Sequence, residues 1–120
     1  MTDLPIKGTC HCGAVSFEVT EMPEAFVKCN CSICRRLGTL WLHSHRTPSV
    51  VHVPDGATIA YHWGDEMIDF HSCKTCGCTT HWQSRIDERH AVNMNLADPK
   101  EIAGIRIRHF DGADTWTFLD

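Results

Sequence analysis

Hydrophobic and polar residues alternate with a period of two along much of this chain, the pattern typical of strands with one buried face. It is clearest where Val15, Phe17 and Val19 alternate with polar neighbours. Similar segments predict further strands over residues 39–45, 50–53, 58–63, 67–72, 79–82, 91–96 and 105–110. The chain is therefore expected to adopt a mainly β fold of antiparallel sheets.

Breaks between these segments predict how the strands are joined. Pro48 ends one strand because proline cannot continue a hydrogen-bonded ladder. The Pro54-Asp55-Gly56 segment separates two strands and predicts a hairpin. Residues 32–38 predict a short helix with Ser32 as its N-cap and Gly38 as its stop, which places Cys34 on the first turn. At most one or two short helices are expected.

Length, composition and charge narrow the class of protein. A chain of 120 residues, 42% hydrophobic and 22% charged, is expected to form one domain over residues 1–120, with the balance of a globular protein in water. No apolar run is long enough to cross a membrane, and the start carries no signal-peptide pattern, so a cytoplasmic protein is expected. The formal net charge of -4, with no basic stripe, argues against a nucleic-acid partner.

Seven of the eight cysteines fall into three tight clusters. The clusters are Cys10/Cys12, Cys29/Cys31/Cys34 and Cys73/Cys76. Short CxC and CxxC loops allow neighbouring sulfurs to reach one zinc ion, and metal binding is favoured over disulfides in a reducing compartment. Two zinc ions per chain are therefore expected.

The strand pattern predicts how the seven sulfurs are shared. Cys10/Cys12 and Cys73/Cys76 each lie on a turn beside a strand, so the two turns can face each other and close a structural four-sulfur site. The other cluster then holds an ion with one position left for water, a substrate sulfur, Cys78 or a histidine. A free buried thiol is the simpler interpretation of Cys78.

Other side chains are weaker candidates. Arg35 and Arg36 follow the three-sulfur cluster and could orient an anionic ligand, although a solvated helix face is the simpler interpretation for at least one of them. Five histidines fall on predicted strands, and one near the open site could act as acid or base: His43, His45, His62, His71 and His81. Seven aromatic residues are interpreted as core, with two of them, Trp41 and Trp82, as alternatives for a pocket wall: Phe17, Phe26, Trp41, Trp63, Phe70, Trp82 and Phe110.

Four segments resemble one known family. They are Gly8-Thr9-Cys10-His11-Cys12-Gly13-Ala14-Val15, Cys29-Asn30-Cys31-Ser32-Ile33-Cys34-Arg35-Arg36, Phe70-His71-Ser72-Cys73-Lys74-Thr75-Cys76-Gly77 and Val92-Asn93-Met94-Asn95-Leu96-Ala97-Asp98-Pro99. With this order and these flanking residues, the chain is similar to the glutathione-dependent formaldehyde-activating enzyme family, which also contains centromere protein V.

The resemblance implies a β-tent-like fold with two zinc ions. Cys10, Cys12, Cys73 and Cys76 correspond to its structural site, and Cys29, Cys31 and Cys34 to its catalytic site. It also implies a carbon–sulfur lyase acting on the adduct of a small thiol, such as glutathione, with an aldehyde. Two alternatives are a non-catalytic zinc module that recruits a partner and a thiol-based zinc or redox protein.

Overall fold

The computed structural model describes residues 4–120. Ten strands, two short α-helices and one 3₁₀ turn run through this part of the chain. The strands are β1 (Ile6–Thr9), β2 (Ser16–Val19), β3 (Ala25–Cys29), β4 (Trp41–His43), β5 (Ser49–His52), β6 (Thr58–Tyr61), β7 (Ile68–Cys73), β8 (Thr79–Ser84), β9 (His90–Asn93) and β10 (Arg106–Phe110). The helices are α1 (Ser32–Leu37) and α2 (Pro99–Ile102), and the 3₁₀ turn is Met94–Leu96.

The strands form two sheets that share a hydrophobic core. The small sheet has the order β1-β2-β5, and the large sheet has the order β10-β3-β4-β9-β8-β7-β6. Alternate residues of a strand point to opposite faces. Ile6 and Phe17 of the small sheet therefore pack with Phe26, Leu42 and Val92 of the large one in a single buried cluster. The small sheet covers one face of the large sheet.

The opposite face of the large sheet carries a second cluster. Trp41, Phe70, Trp82 and Ala91 pack there with Cys34 of α1. Phe70 pairs with Trp82, and Trp82 with Ala91, so the three residues are neighbours on adjacent strands. This face positions the three-sulfur cluster.

The mainly β fold with two short helices confirms the prediction from alternation. The predicted hairpin between the fifth and sixth strands is wrong. β5 pairs with β2 in the small sheet, whereas β6 pairs with β7 in the large one. The turn at Pro54 exists, with the Ala57 N–H bonded to the Pro54 carbonyl at 3.0 Å, but it carries the chain from one sheet to the other.

Three finer predictions also need correction. β10 pairs with β3 in parallel, so the large sheet is mixed rather than wholly antiparallel. The N-cap of α1 is Cys31, whose sulfur accepts the Cys34 N–H, and not Ser32. The strand predicted to reach residue 96 ends at Asn93, because that side chain accepts the Asn95 N–H and starts the 3₁₀ turn.

Two strands were absent from the prediction. β1 and β3 are short, and neither shows a clear alternation of hydrophobic and polar residues in its sequence. Within residues 4–120, no helix has the length and apolar character needed to span a bilayer.

Candidate metal centres and the adjoining cavity

Two turns that belong to different sheets bring four cysteines together. Cys10 and Cys12 lie in the loop between β1 and β2, and Cys73 and Cys76 lie at the turn between β7 and β8. Each turn closes on a glycine with positive φ, Gly13 at 85° and Gly77 at 80°. Their N–H groups bond to the Cys10 carbonyl at 3.0 Å and the Cys73 carbonyl at 2.8 Å. Cys73 and Cys76 thus lie, as predicted, on a turn beside a strand, and this turn joins the antiparallel strands β7 and β8.

The sulfur spacing in this group fits tetrahedral zinc. All four sulfurs lie within 4.8 Å of one another. The Cys10–Cys12 and Cys12–Cys73 sulfur distances are 3.7 and 3.6 Å. A tetrahedron with Zn–S bonds of about 2.3 Å has sulfur–sulfur edges of about 3.8 Å. The four-sulfur group could therefore hold one metal ion with little rearrangement.

The remaining cluster forms a second, separate group. Cys29 ends β3, Cys31 caps α1 and Cys34 lies on the first turn of that helix. Their three sulfurs also lie within 4.8 Å of one another, so this group too could hold a metal ion. Cys34 is buried, whereas Cys29 and Cys31 are half-buried.

Each sulfur of this group accepts an N–H hydrogen bond. The Cys31 N–H donates to Cys29 Sγ at 3.5 Å, and the Cys34 N–H donates to Cys31 Sγ at 3.4 Å. The Trp41 indole Nε1–H donates to Cys34 Sγ at 3.4 Å. Donors aimed at sulfur favour the thiolate, which is the form that binds metal.

As free thiols, Cys29 and Cys34 have pKa values that shift in opposite directions. The hydrogen bond from Cys34, assisted by backbone N–H groups, lowers the pKa of Cys29 to about 6. The same hydrogen bond and burial raise the pKa of Cys34. One thiolate therefore exists near neutral pH, and the second proton leaves readily only when a cation replaces it.

The three-sulfur group lies in the wall of a large cavity. The cavity has a volume of about 880 Å³, within the range of small-molecule sites, and its walls are mostly apolar. The face of the large sheet that carries Trp41, Phe70 and Trp82 forms one side. The donor set and the cavity together define a candidate metal centre beside a ligand-sized space.

The C-terminal segment forms another side of the cavity. Gly112 lies against the sulfurs, since a Cβ atom placed there would be 2.8 Å from Cys29 Sγ and 3.1 Å from Cys31 Cβ. Asn30 fixes the segment: its amide nitrogen donates to Asp111 at 3.0 Å, and its oxygen accepts the Ala113 N–H at 3.1 Å. A side chain at position 112 would therefore crowd the cluster.

Of the weaker candidate residues named from the sequence, some line the cavity and others do not. Arg35 lines the cavity, whereas Arg36 bonds to the Ser32 carbonyl of its own helix at 2.8 Å. His43 and His45 also line the cavity. Burial, with smaller contributions from His45 and Arg46, lowers the pKa of His43 to about 4, so its imidazole is neutral at pH 7.

The other three histidines do not line the cavity. His71 and His81 stack on each other, and His62 lies near Glu66 and Asp69. Cys78 is half-buried beside the four-sulfur group but is not one of its four members.

Several residues of the cavity lie outside the sequence motifs and the predicted strands, among them Gly112, Trp116 and Phe118. A signal was present in the alternation of Thr115, Trp116, Thr117 and Phe118 beside the last predicted strand. Phe118 does form a bridge with Phe110.

The fold and the sites define a class: small mainly β proteins with one four-cysteine and one three-cysteine group, each able to hold a metal ion. The model of the family "Glutathione-dependent formaldehyde-activating enzyme" matches residues 5–110. The chain belongs to this family.

Two similar proteins illustrate the relationship. A Halomonas elongata protein named "Putative glutathione-dependent formaldehyde-activating enzyme" is 53% identical over 96 residues, which is 79% of this chain and 57% of that protein. The chain therefore spans little more than half of this relative. A Rhodobacter sphaeroides protein with a crystal structure is 30% identical, with a TM-score of 0.65 over 85% of this chain and 99% of its own.

Proposed function

We propose that the chain is a zinc-dependent carbon–sulfur lyase that forms or cleaves the adduct of a thiol with a small aldehyde, of the S-hydroxymethylglutathione type. One observation carries the proposal: the three-sulfur group opens onto a ligand-sized cavity, whereas the other group has four sulfurs. Zinc usually takes four ligands, so the three-sulfur group leaves a position for substrate. The family and the name of the Halomonas elongata relative support the same chemistry.

The donor set fits zinc. The four-sulfur group has the edge lengths of a zinc tetrahedron, and cysteine thiolate is a ligand that zinc prefers. Cys10, Cys12, Cys73 and Cys76 would hold the structural ion, and Cys29, Cys31 and Cys34 the catalytic one. Zinc at the three-sulfur group would act as a Lewis acid that polarises an aldehyde oxygen or favours the thiolate form of a substrate.

The side chains around the sulfurs orient and shield the reaction. In the forward direction a thiol sulfur bonds to the aldehyde carbon, the carbonyl π bond breaks, and the thiol proton passes to the oxygen. Trp41 fixes the Cys34 sulfur, and Gly112 leaves room beside Cys29. The apolar walls limit the water that competes for the carbonyl carbon. The neutral His43 imidazole can hold or pass a proton within the cavity.

The test is proton exchange spectroscopy on formaldehyde and glutathione, with protein that carries two zinc ions. We expect a faster exchange between free and adduct signals, and a return to the uncatalysed rate with Cys34→Ala. An unchanged rate with the two-zinc protein would contradict activity on the glutathione adduct, and an unchanged rate with other thiols as well would favour a structural or zinc-buffering role.

A further inference from the structure

The cavity contains most of the aromatic side chains of the protein. All four tryptophans of the chain, Trp41, Trp63, Trp82 and Trp116, line it. Phe70, Phe110 and Phe118 line it as well, whereas the core between the sheets has only Phe17 and Phe26. Aromatic residues of a small β protein ordinarily fill the core, so this distribution points to the ligand.

The four indoles differ widely in exposure. Trp41 and Trp82 are buried, at 2% and 9% exposure, and Trp41 bonds to Cys34 Sγ. Trp63 and Trp116 are 45% and 71% exposed. Trp116 also approaches the cluster, since its ring lies 3.6 Å from the position of a Cβ on Gly112. The indoles therefore form both buried and exposed parts of the cavity wall.

Trp116 is held in an unusual conformation. Its φ is 58°, in a backbone region that residues other than glycine rarely adopt. Its N–H donates to the Asp111 carbonyl at 2.8 Å, and its ring meets Phe110 edge-on at a centroid distance of 5.2 Å. A largely exposed indole in this conformation, in the wall of a candidate site, is a feature expected of ligand binding.

Charge in the cavity is confined to a few exposed side chains. Arg35, Arg46 and Asp65 line it, and all three are exposed. Glutathione carries two carboxylates and an ammonium group. Mostly apolar walls would remove water from these charged groups without offering enough partners to offset the cost in free energy. Formaldehyde carries a single carbon, so nearly all of the 880 Å³ is available to the thiol half of the adduct. The walls match an aromatic ring with at most one carboxylate near the two arginines.

We propose that the thiol half of the substrate carries an aromatic ring that stacks between the cavity tryptophans. This inference rests on the proposed function for the chemistry, but the ring preference is a property of the cavity and can be measured as binding. The adduct forms as above, with the sulfur–carbon bond made and the thiol proton transferred to the aldehyde oxygen.

The experiment compares two thiols by calorimetry on the two-zinc protein. The probe is 4-(mercaptomethyl)benzoate, and the control ligand is 6-mercaptohexanoate, which separates thiol and carboxylate by a similar reach without a ring. We expect the aromatic thiol to bind about tenfold more tightly, because stacking on indoles adds to burial. Trp116→Ala should remove most of that preference, whereas Tyr61→Ala, an exposed ring outside the cavity, should leave it unchanged.

The outcomes separate the two proposals. Equal binding of the two thiols, or an unchanged preference in Trp116→Ala, would overturn the ring inference even if glutathione exchange is accelerated. A clear ring preference with no acceleration of adduct exchange for either thiol would support the cavity inference and reject the lyase proposal.

Discussion

At the residue scale, Gly112 approaches the three-sulfur group so closely that a Cβ atom at this position would lie 2.8 Å from Cys29 Sγ. The loop that contains it is anchored to Asn30, whose backbone N–H also bonds to the Phe110 carbonyl at 3.2 Å. The Gly112 N–H adds a hydrogen bond that favours the Cys29 thiolate. A side chain at this position would push either the sulfur or the loop away.

We therefore predict that Gly112→Ala weakens zinc binding at the three-sulfur group by about tenfold or more, because crowding in a packed site costs roughly 1–3 kcal/mol. The measurement is zinc release to a chromophoric chelator, which should show one ion lost early and one retained. Ala113→Ser, which adds an atom to the next and exposed residue, is the control and should release zinc as the wild type does. Release of both ions together from Gly112→Ala would contradict the assignment.

At the element scale, alternation identified most strands because each has one buried face, as Phe17 and Val19 show in β2. It could not identify strand partners. β5 joins the small sheet, where Val51 packs against the core, while β6 exposes Ile59 and Tyr61 at the edge of the large one. A turn sequence such as Pro54-Asp55-Gly56 determines a local reversal, whereas burial over the whole molecule determines pairing.

The cysteine groups were more predictable than the cavity. Ligand spacing within a CxC or CxxC loop is local, so it can be read directly from sequence, and the four-plus-three grouping agrees with the sulfur distances. The cavity depends on tertiary contacts. Trp116 and Cys29 are distant in sequence and line the same cavity because β10 pairs with β3 and the C-terminal segment folds back over Phe110.

Another feature at this scale is a pair of imidazoles stacked across β7 and β8. His71 and His81 have a centroid distance of 4.5 Å and an interplanar angle of 4°. Burial, and then the neighbouring histidines, lowers the pKa of His81 to about 3. The unfolded chain binds a proton near pH 6.5 that the folded protein excludes, so folding is destabilised as the pH falls from about 6.5 toward 3 and is unaffected above that range.

We predict that His81→Phe flattens this dependence. Between pH 6 and pH 4 the unfolding free energy of the wild type should fall more steeply than that of the variant, by up to about 1.4 kcal/mol per pH unit. Denaturant titrations at several pH values measure the slope. The Thr80 hydroxyl and the His81 imidazole form a hydrogen bond of 2.8 Å, which both His81→Phe and Thr80→Val remove. Because Thr80→Val keeps the imidazole, it should retain the wild-type slope. Equal slopes for all three proteins would show that His81 is not excluded from protonation.

At the scale of the whole molecule, the four-sulfur group joins the two sheets. Cys12 and Cys73 are 61 residues apart in sequence, one beside the small sheet and the other at the end of β7. Cys10 and Cys73 are each 1% exposed and pack with Val15. Closing so long a loop costs conformational entropy, which metal binding can offset. The three-sulfur group joins only β3 to the adjoining helix, so an ion bound there would have little influence on how the sheets associate.

The same substitution in the two groups should therefore have different consequences. Cys34→Ala should reduce the zinc content from two ions to one while the circular dichroism of the sheet is retained. Cys73→Ala should lose the ion that joins the sheets and unfold. Structural zinc contributes roughly 10–16 kcal/mol in zinc-finger peptides, as much as the whole stability of a typical domain.

Native mass spectrometry measures the stoichiometry, and both variants remove one sulfur from a buried cysteine, so each is the control for the other. Equal loss of folding in the two variants would mean that both ions hold the sheets together, and the division into a structural and an open site would then fail.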